Sequence, residues 1–119
     1  MVSIMTVKEL VNQLSLKNWT PELDLEIPIT GGYAGDMLSW VMGQAKSGSV
    51  WITIMSNHNV AAVALMADVA CVVLTENVEP DENLLAQANT RKLPLFTSPL
   101  PTYEFSCRLN EFLKDLQGS

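Results

Sequence analysis

Three short runs in this chain carry no charge and hardly a polar atom: VWITIM at 50–55, CVVL at 71–74 and LPLF at 93–96. Runs this apolar, rich in β-branched and aromatic residues, suit strands buried on both faces, and such strands require a layer on each side of their sheet. Helix-like stretches alternate with them, NVAAVALMA at 59–67 and DENLLAQANTRK at 81–92. Strand and helix recurring at intervals of about twenty residues is the pattern of parallel βαβ units with right-handed crossovers. The expected fold is therefore α/β, a single three-layer domain over residues 1–119 with a mostly parallel β-sheet flanked by helices. A chain of 119 residues is close to the commonest domain size and buries a core without disulfides or metal. No repeat, linker or low-complexity segment interrupts it.

The remaining segments fill in around this centre. Thr6 to Leu14 begins with Thr6 and has Glu9 three positions on, a capping box that satisfies two amide donors at a helix start. Ser15 to Thr20 reads as a short strand carrying Trp19, ended by Thr20-Pro21, because the residue before proline is pushed to extended geometry. Glu22 to Ile29 alternates, with Leu23, Leu25, Ile27 and Ile29 on one side. Pro28 lacks a donor, which leaves an edge strand or an extended arm. Asp36 to Lys46 reads as a helix ended by Gly48, and Thr102 to Leu116 as the closing helix.

Charge excludes several function classes. Seven basic against thirteen acidic residues give a net charge of −6, which repels a phosphate backbone when the bases are scattered, so nucleic acid is not an expected partner. The N-terminus MVSIMTVKEL has neither signal-peptide nor transit-peptide character. The longest nearly uncharged run, Ser47 to Ala67, is broken by Ser56, Asn57, His58 and Asn59, so no membrane span is expected. Cys71 and Cys107 form no CxxC pair and point to neither a disulfide framework nor a metal site. The expected location is the cytoplasm.

The stretch ITGGYAGDMLS at 29–39 looks like a phosphate loop and fails the test. A Walker A loop needs lysine after its last glycine, and here Asp36 puts negative charge where phosphate would sit. A dinucleotide fingerprint would need glycine at position 30, which is Thr30. Gly31 and Gly32 then read as supplying positive φ or a close approach in a turn, with Asp36 or a neighbour capping the next helix. Each of the three central strands is followed by small polar residues: Ser56 and His58, Thr75, and Thr97 with Ser98. Carboxyl ends of parallel strands border the crevice where open α/β sheets bind ligands. The candidate ligand set is therefore Thr30, Gly31, Gly32, Asp36, Ser56, His58, Thr75, Thr97 and Ser98, although capping hydroxyls are expected after every such strand in any case. His58, the only histidine, has no nucleophile or metal-ligand spacing around it and reads as a helix-start or interface residue rather than a catalytic one. Cys107 reads as packed rather than reactive. No catalytic residue, metal or cofactor is indicated.

The apolar excess is the third feature. Helices 36–46 and 59–67 carry Met37, Trp40, Met42, Ala62, Leu65 and Met66, more than one small core absorbs, and such residues are enriched at interfaces. With little chain left to cover them, a homodimer is expected.

The segments ITGGYAGDMLSWVM and VWITIMSNHNVAAVA, with TVKELVNQLSLK before them and CVVLTENVEPDENLLAQANTRKLPLFTS after, resemble the DRTGG domain family. The signature falls on Thr30, Gly31 and Gly32; where the name-giving motif has Asp-Arg, this sequence has Pro28-Ile29, so no role of those two charges carries over. The resemblance implies an α/β fold akin to the N-terminal, non-kinase domain of HPr kinase/phosphorylase. Such domains look like regulatory, dimer-forming modules, occurring alone, beside CBS domains in regulated pyrophosphatases, and in phosphotransacetylase-type chains. A serine-kinase label is not supported, since the kinase activity of that relative resides in a separate P-loop domain. The leading expectation is a non-catalytic regulatory or interaction domain, a homodimer that senses a small molecule or contacts a regulated partner enzyme. The rival is a small nucleotide-binding protein or enzyme using His58 and the strand-end hydroxyls.

Overall fold

A computed structural model describes residues 5–116. Helix α1 (Val7–Leu14) starts at the expected capping box: the Glu9 amide donates to Thr6 Oγ1 at 3.3 Å, and the Thr6 amide donates back to the Glu9 carboxylate at 3.3 Å. Of the two alternatives for the 22–29 segment, the extended arm is formed, over residues 24–29, after a turn in which the Leu23 amide donates to Thr20 O. The arm's carbonyls take the other free amides of the helix start, Val7 N–H donating to Ile27 O and Lys8 N–H to Leu25 O.

The sheet contains β1 (Lys17–Asn18), β2 (Gly31–Ala34), β3 (Ser49–Thr53), β4 (Cys71–Leu74) and β5 (Leu95–Thr97) in the order β1-β5-β4-β3-β2. Strands β2 to β5 are parallel and β1 runs antiparallel against β5. Between them lie α2 (Leu38–Gln44), α3 (Asn59–Ala67) and α4 (Glu82–Thr90), and α5 (Thr102–Leu116) closes the chain. Each step from β2 to β5 moves one place in the same direction, so right-handed crossovers put α2, α3 and α4 on one face. Helices α1 and α5 cover the other. The central strands feed both layers by alternation: Val50 and Ile52 pack with Val7, Leu10, Phe105 and Leu109, while Trp51 packs with Val41, Val60 and Leu84. The α/β, three-layer, mostly parallel expectation holds.

Two sequence expectations are corrected. The two glycines form no turn: Gly31 and Gly32 lie in edge strand β2, paired with Ser49 and Val50, and among the described glycines only Gly48 has positive φ. At Gly32 the close approach is real, since a Cβ there would stand 2.7 Å from Leu109 Cδ2 on α5. Nor does Asp36 cap a helix. Helix α2 begins at Leu38, behind Met37, with no side-chain cap, and Asp36 is spent elsewhere.

Candidate functional site

Helix α2 packs on β3 through Val41 and against α3. Neither LSWVMGQ of α2 nor NVAAVALMA of α3 contains a charged residue. Helix α3 buries Val60, Ala61, Val63, Ala64 and Ala67, and beyond its first residue, exposed Asn59, it has only the apolar Ala62, Leu65 and Met66 left for its outer side. The result is a charge-free outer surface shared by two adjacent helices. Met37 is 62 %, Trp40 60 % and Met66 71 % exposed, and Met42, Leu65 and Ala62 are exposed as well. Trp40 contrasts with the other tryptophans: buried Trp51 donates its indole N–H to Gly35 O, and half-buried Trp19 donates to Thr97 Oγ1, each at 2.9 Å. All six residues singled out as an interface set therefore lie exposed on this side.

The candidate ligand set does not form one site. Thr30 precedes β2 and donates to Ser47 O at 2.7 Å, while Asp36 follows it; the rise along the strand between them separates the two by roughly 20 Å, at opposite ends of the sheet. At the carboxyl end the polar groups hold structure together. Asp36 Oδ1 accepts from Thr53 Oγ1 at 2.8 Å and from the Ile54 amide at 2.9 Å. Buried Thr75 shares a 2.7 Å hydrogen bond with Thr102 at the start of α5, and Glu76 accepts the Thr102 amide at 2.7 Å. Thr97 takes the Trp19 indole, and buried Ser98 accepts from the Leu100 amide at 3.2 Å. The amides of Glu76 and Asn77, both at positive φ, donate to Leu100 O and Ser98 O, which ties the β4 and β5 ends together.

The strand order gives the reason. A ligand crevice opens where neighbouring crossovers leave to opposite faces, and β2 to β5 contain no such point. Ser56 is half-buried and contributes its carbonyl to the Asp81 amide. His58 is the exposed N-cap residue of α3 and makes no side-chain capping bond. Among the described residues no three His, Cys, Asp or Glu side chains converge as a metal site would need, and no helix is long and apolar enough to cross a membrane.

Two grooves lie on the α1/α5 face. One of about 360 Å³ runs between α1 and α5, lined by Met5, Glu9, Gln13, Leu14, Arg108, Glu111 and Phe112. A second, of about 200 Å³, opens between β2 and α5 and includes Gly32, the only member of the candidate ligand set on either groove lining. Sequence reasoning missed both, because each depends on where α5 returns across the sheet. Cys107 is also corrected: it is exposed on α5, whereas Cys71 is buried in β4, where burial pushes its thiol far up.

Fold and surface together define a small, mostly parallel α/β domain in which the strand-end side chains of Asp36, Thr75, Thr97 and Ser98 are tied into structural bonds and α2 and α3 present an apolar surface. The chain belongs to the DRTGG domain family, whose family model matches residues 33–112. The matched span begins just after Thr30, Gly31 and Gly32, so the signature residues fall outside it. Among solved structures the chain is similar to the CBS and DRTGG domains of the regulatory region of Clostridium perfringens pyrophosphatase, complexed with its activator diadenosine tetraphosphate. The TM-score is 0.69 at 15 % identity, covering 87 % of this chain and 45 % of that one, so this chain spans less than half of its relative's length. Comparison with curated proteins gives no match.

Proposed function

We propose that this chain is a non-catalytic regulatory domain, one unit over residues 1–119, that homodimerises through the outer surface of α2 and α3 and acts on a partner enzyme in the cytoplasm. The observation that carries the dimer is the pair of adjacent helices without a charge between them, exposing Met37, Trp40, Met42, Leu65 and Met66 in a chain of net charge −6. Two copies with this net charge repel over most of their surface, and a charge-free patch is where an isologous contact costs least. Burying side chains of this size is worth about 1.5–3 kcal/mol each, against association costs of 4 kcal/mol or more, roughly. The regulatory role draws its support from family membership and from the relative's place in a regulatory region. Free Cys71 and Cys107 suit a reducing compartment.

Light scattering at micromolar concentration tests the dimer, and a strictly monomeric mass overturns it. Trp40→Glu is expected to give a folded monomer, because a side chain already 60 % exposed contributes little to the fold while its charge would be buried unpaired in the contact. Small-molecule sensing is a second reading, favoured by the relative's complex with diadenosine tetraphosphate. Thermal shift with adenine nucleotides checks it: a ligand at about a hundred times its Kd stabilises by roughly 2.7 kcal/mol, and no shift removes this reading while leaving the dimer in place.

A further inference from the structure

We infer that the β2 edge is a docking site for an extended, apolar segment of a partner protein, which adds as a further strand beside Gly31–Ala34. Strand β2 ends the sheet, and the Gly35 amide donates to Ile52 O on β3. Alternation along a strand therefore turns the backbone groups of Gly32 and Ala34 outward, away from β3, and both residues are exposed. Two of the devices that protect an edge, charge and proline, are absent from GGYA.

Gly31 adds a second observation. Its φ is not positive, and a Cβ there would meet nothing within 4 Å. Neither backbone geometry nor packing inside the chain calls for glycine, which weakens a strand; glycine in such a place fits the close approach of another backbone. The third observation is the groove of about 200 Å³ between this edge and α5, floored by Gly32, Ala34 and Ile52 and walled by Ser106, Leu109 and Leu113. Gly32 and Ala34 are two residues apart on one face, the repeat at which an added strand presents alternate side chains. Outward backbone groups supply the pairing and the uncharged groove selects an aliphatic or aromatic side chain, the two components of strand addition. A second copy pairing here through its own β2 would bring Gly32 and Ala34, no side chain and a single methyl group, too little to fill a groove of about 200 Å³. The groove opens on the α5 face, opposite α2 and α3, so this docking and the dimer fail separately.

Amide hydrogen exchange and NMR titration with the full chain provide the test, the probe being an acetylated, amidated octapeptide alternating leucine and threonine. The amides of Gly32 and Ala34 are expected to exchange rapidly in the protein alone and to become protected when the peptide is added. The same peptide N-methylated on its pairing amides is expected to bind at least fivefold more weakly, as is the unmodified peptide to Ala34→Pro, which removes an outward donor and no bond to β3. The N-methylated peptide needs no variant, so the test stands even if Ala34→Pro does not fold. Protection of Gly32 and Ala34 before any peptide is added, equal binding of the two peptides, no binding, or a dimer that Ala34→Pro dissociates would each overturn the inference.

Discussion

Asp36 lies between β2 and α2, and its carboxylate joins the strand it follows to the end of β3. One oxygen accepts from both Thr53 Oγ1 and the Ile54 amide, and Thr53 in turn accepts the Met55 amide at 3.1 Å. Thr53 is buried, so losing its acceptor leaves a hydroxyl to find another. Asp36→Ala is expected to lower stability by about 1–2 kcal/mol in urea unfolding, while Asp36→Asn, which keeps an acceptor oxygen, is expected to lose less. The thiols give a second check at this scale. Cys71 is buried and its thiol pushed up, whereas Cys107 is exposed. Iodoacetamide at pH 8 is expected to modify Cys107 alone in the native protein and both residues in guanidinium; rapid native labelling of Cys71 would contradict its place in the core.

At the scale of elements, the glycines separate by what surrounds them. Gly48 enters β3 at φ 82°, and a Cβ there would stand 2.8 Å from Thr30 Cγ2. Gly48→Ala is expected to destabilise by more than about 1 kcal/mol. Gly31→Ala, with open space and extended backbone, is expected to be neutral or to stabilise by about 0.5–1 kcal/mol, measured by the same unfolding curves. The contrast also shows what the sequence carries. Helix α3 and strand β4 have the bounds that their composition indicates, because NVAAVALMA and CVVL depend on no other segment. Strand β2 was hidden, since Gly-Gly-Tyr-Ala has neither β-branched residues nor alternation. It is a strand because Ser49–Ile52 offers its edge, and pairing of that kind is tertiary. The alternating segment 22–29 went the other way, its carbonyls drawn to the amides at the start of α1.

On the scale of the molecule, strand order decided which candidate sites exist. The apolar excess of α2 and α3 was legible from composition, and the missing crevice was not, because nothing local encodes that β2 to β5 step across the sheet in one direction. In the proposed dimer the α2/α3 surface is the place of association, and its lack of charge sets the expected response to salt. Two copies of net charge −6 repel at long range, and the Debye length falls from about 30 Å at 0.01 M to 10 Å at 0.1 M. Raising sodium chloride over this interval screens the repulsion and removes no ion pair from the contact. The dimer dissociation constant, followed by sedimentation, is therefore expected to fall as salt rises, and sulfate is expected to lower it further by strengthening apolar burial. An interface held by charge would behave oppositely. Dissociation on adding salt would place the contact away from α2 and α3, on a surface where acidic residues such as Glu26, Glu104 and Glu111 meet bases of the second copy.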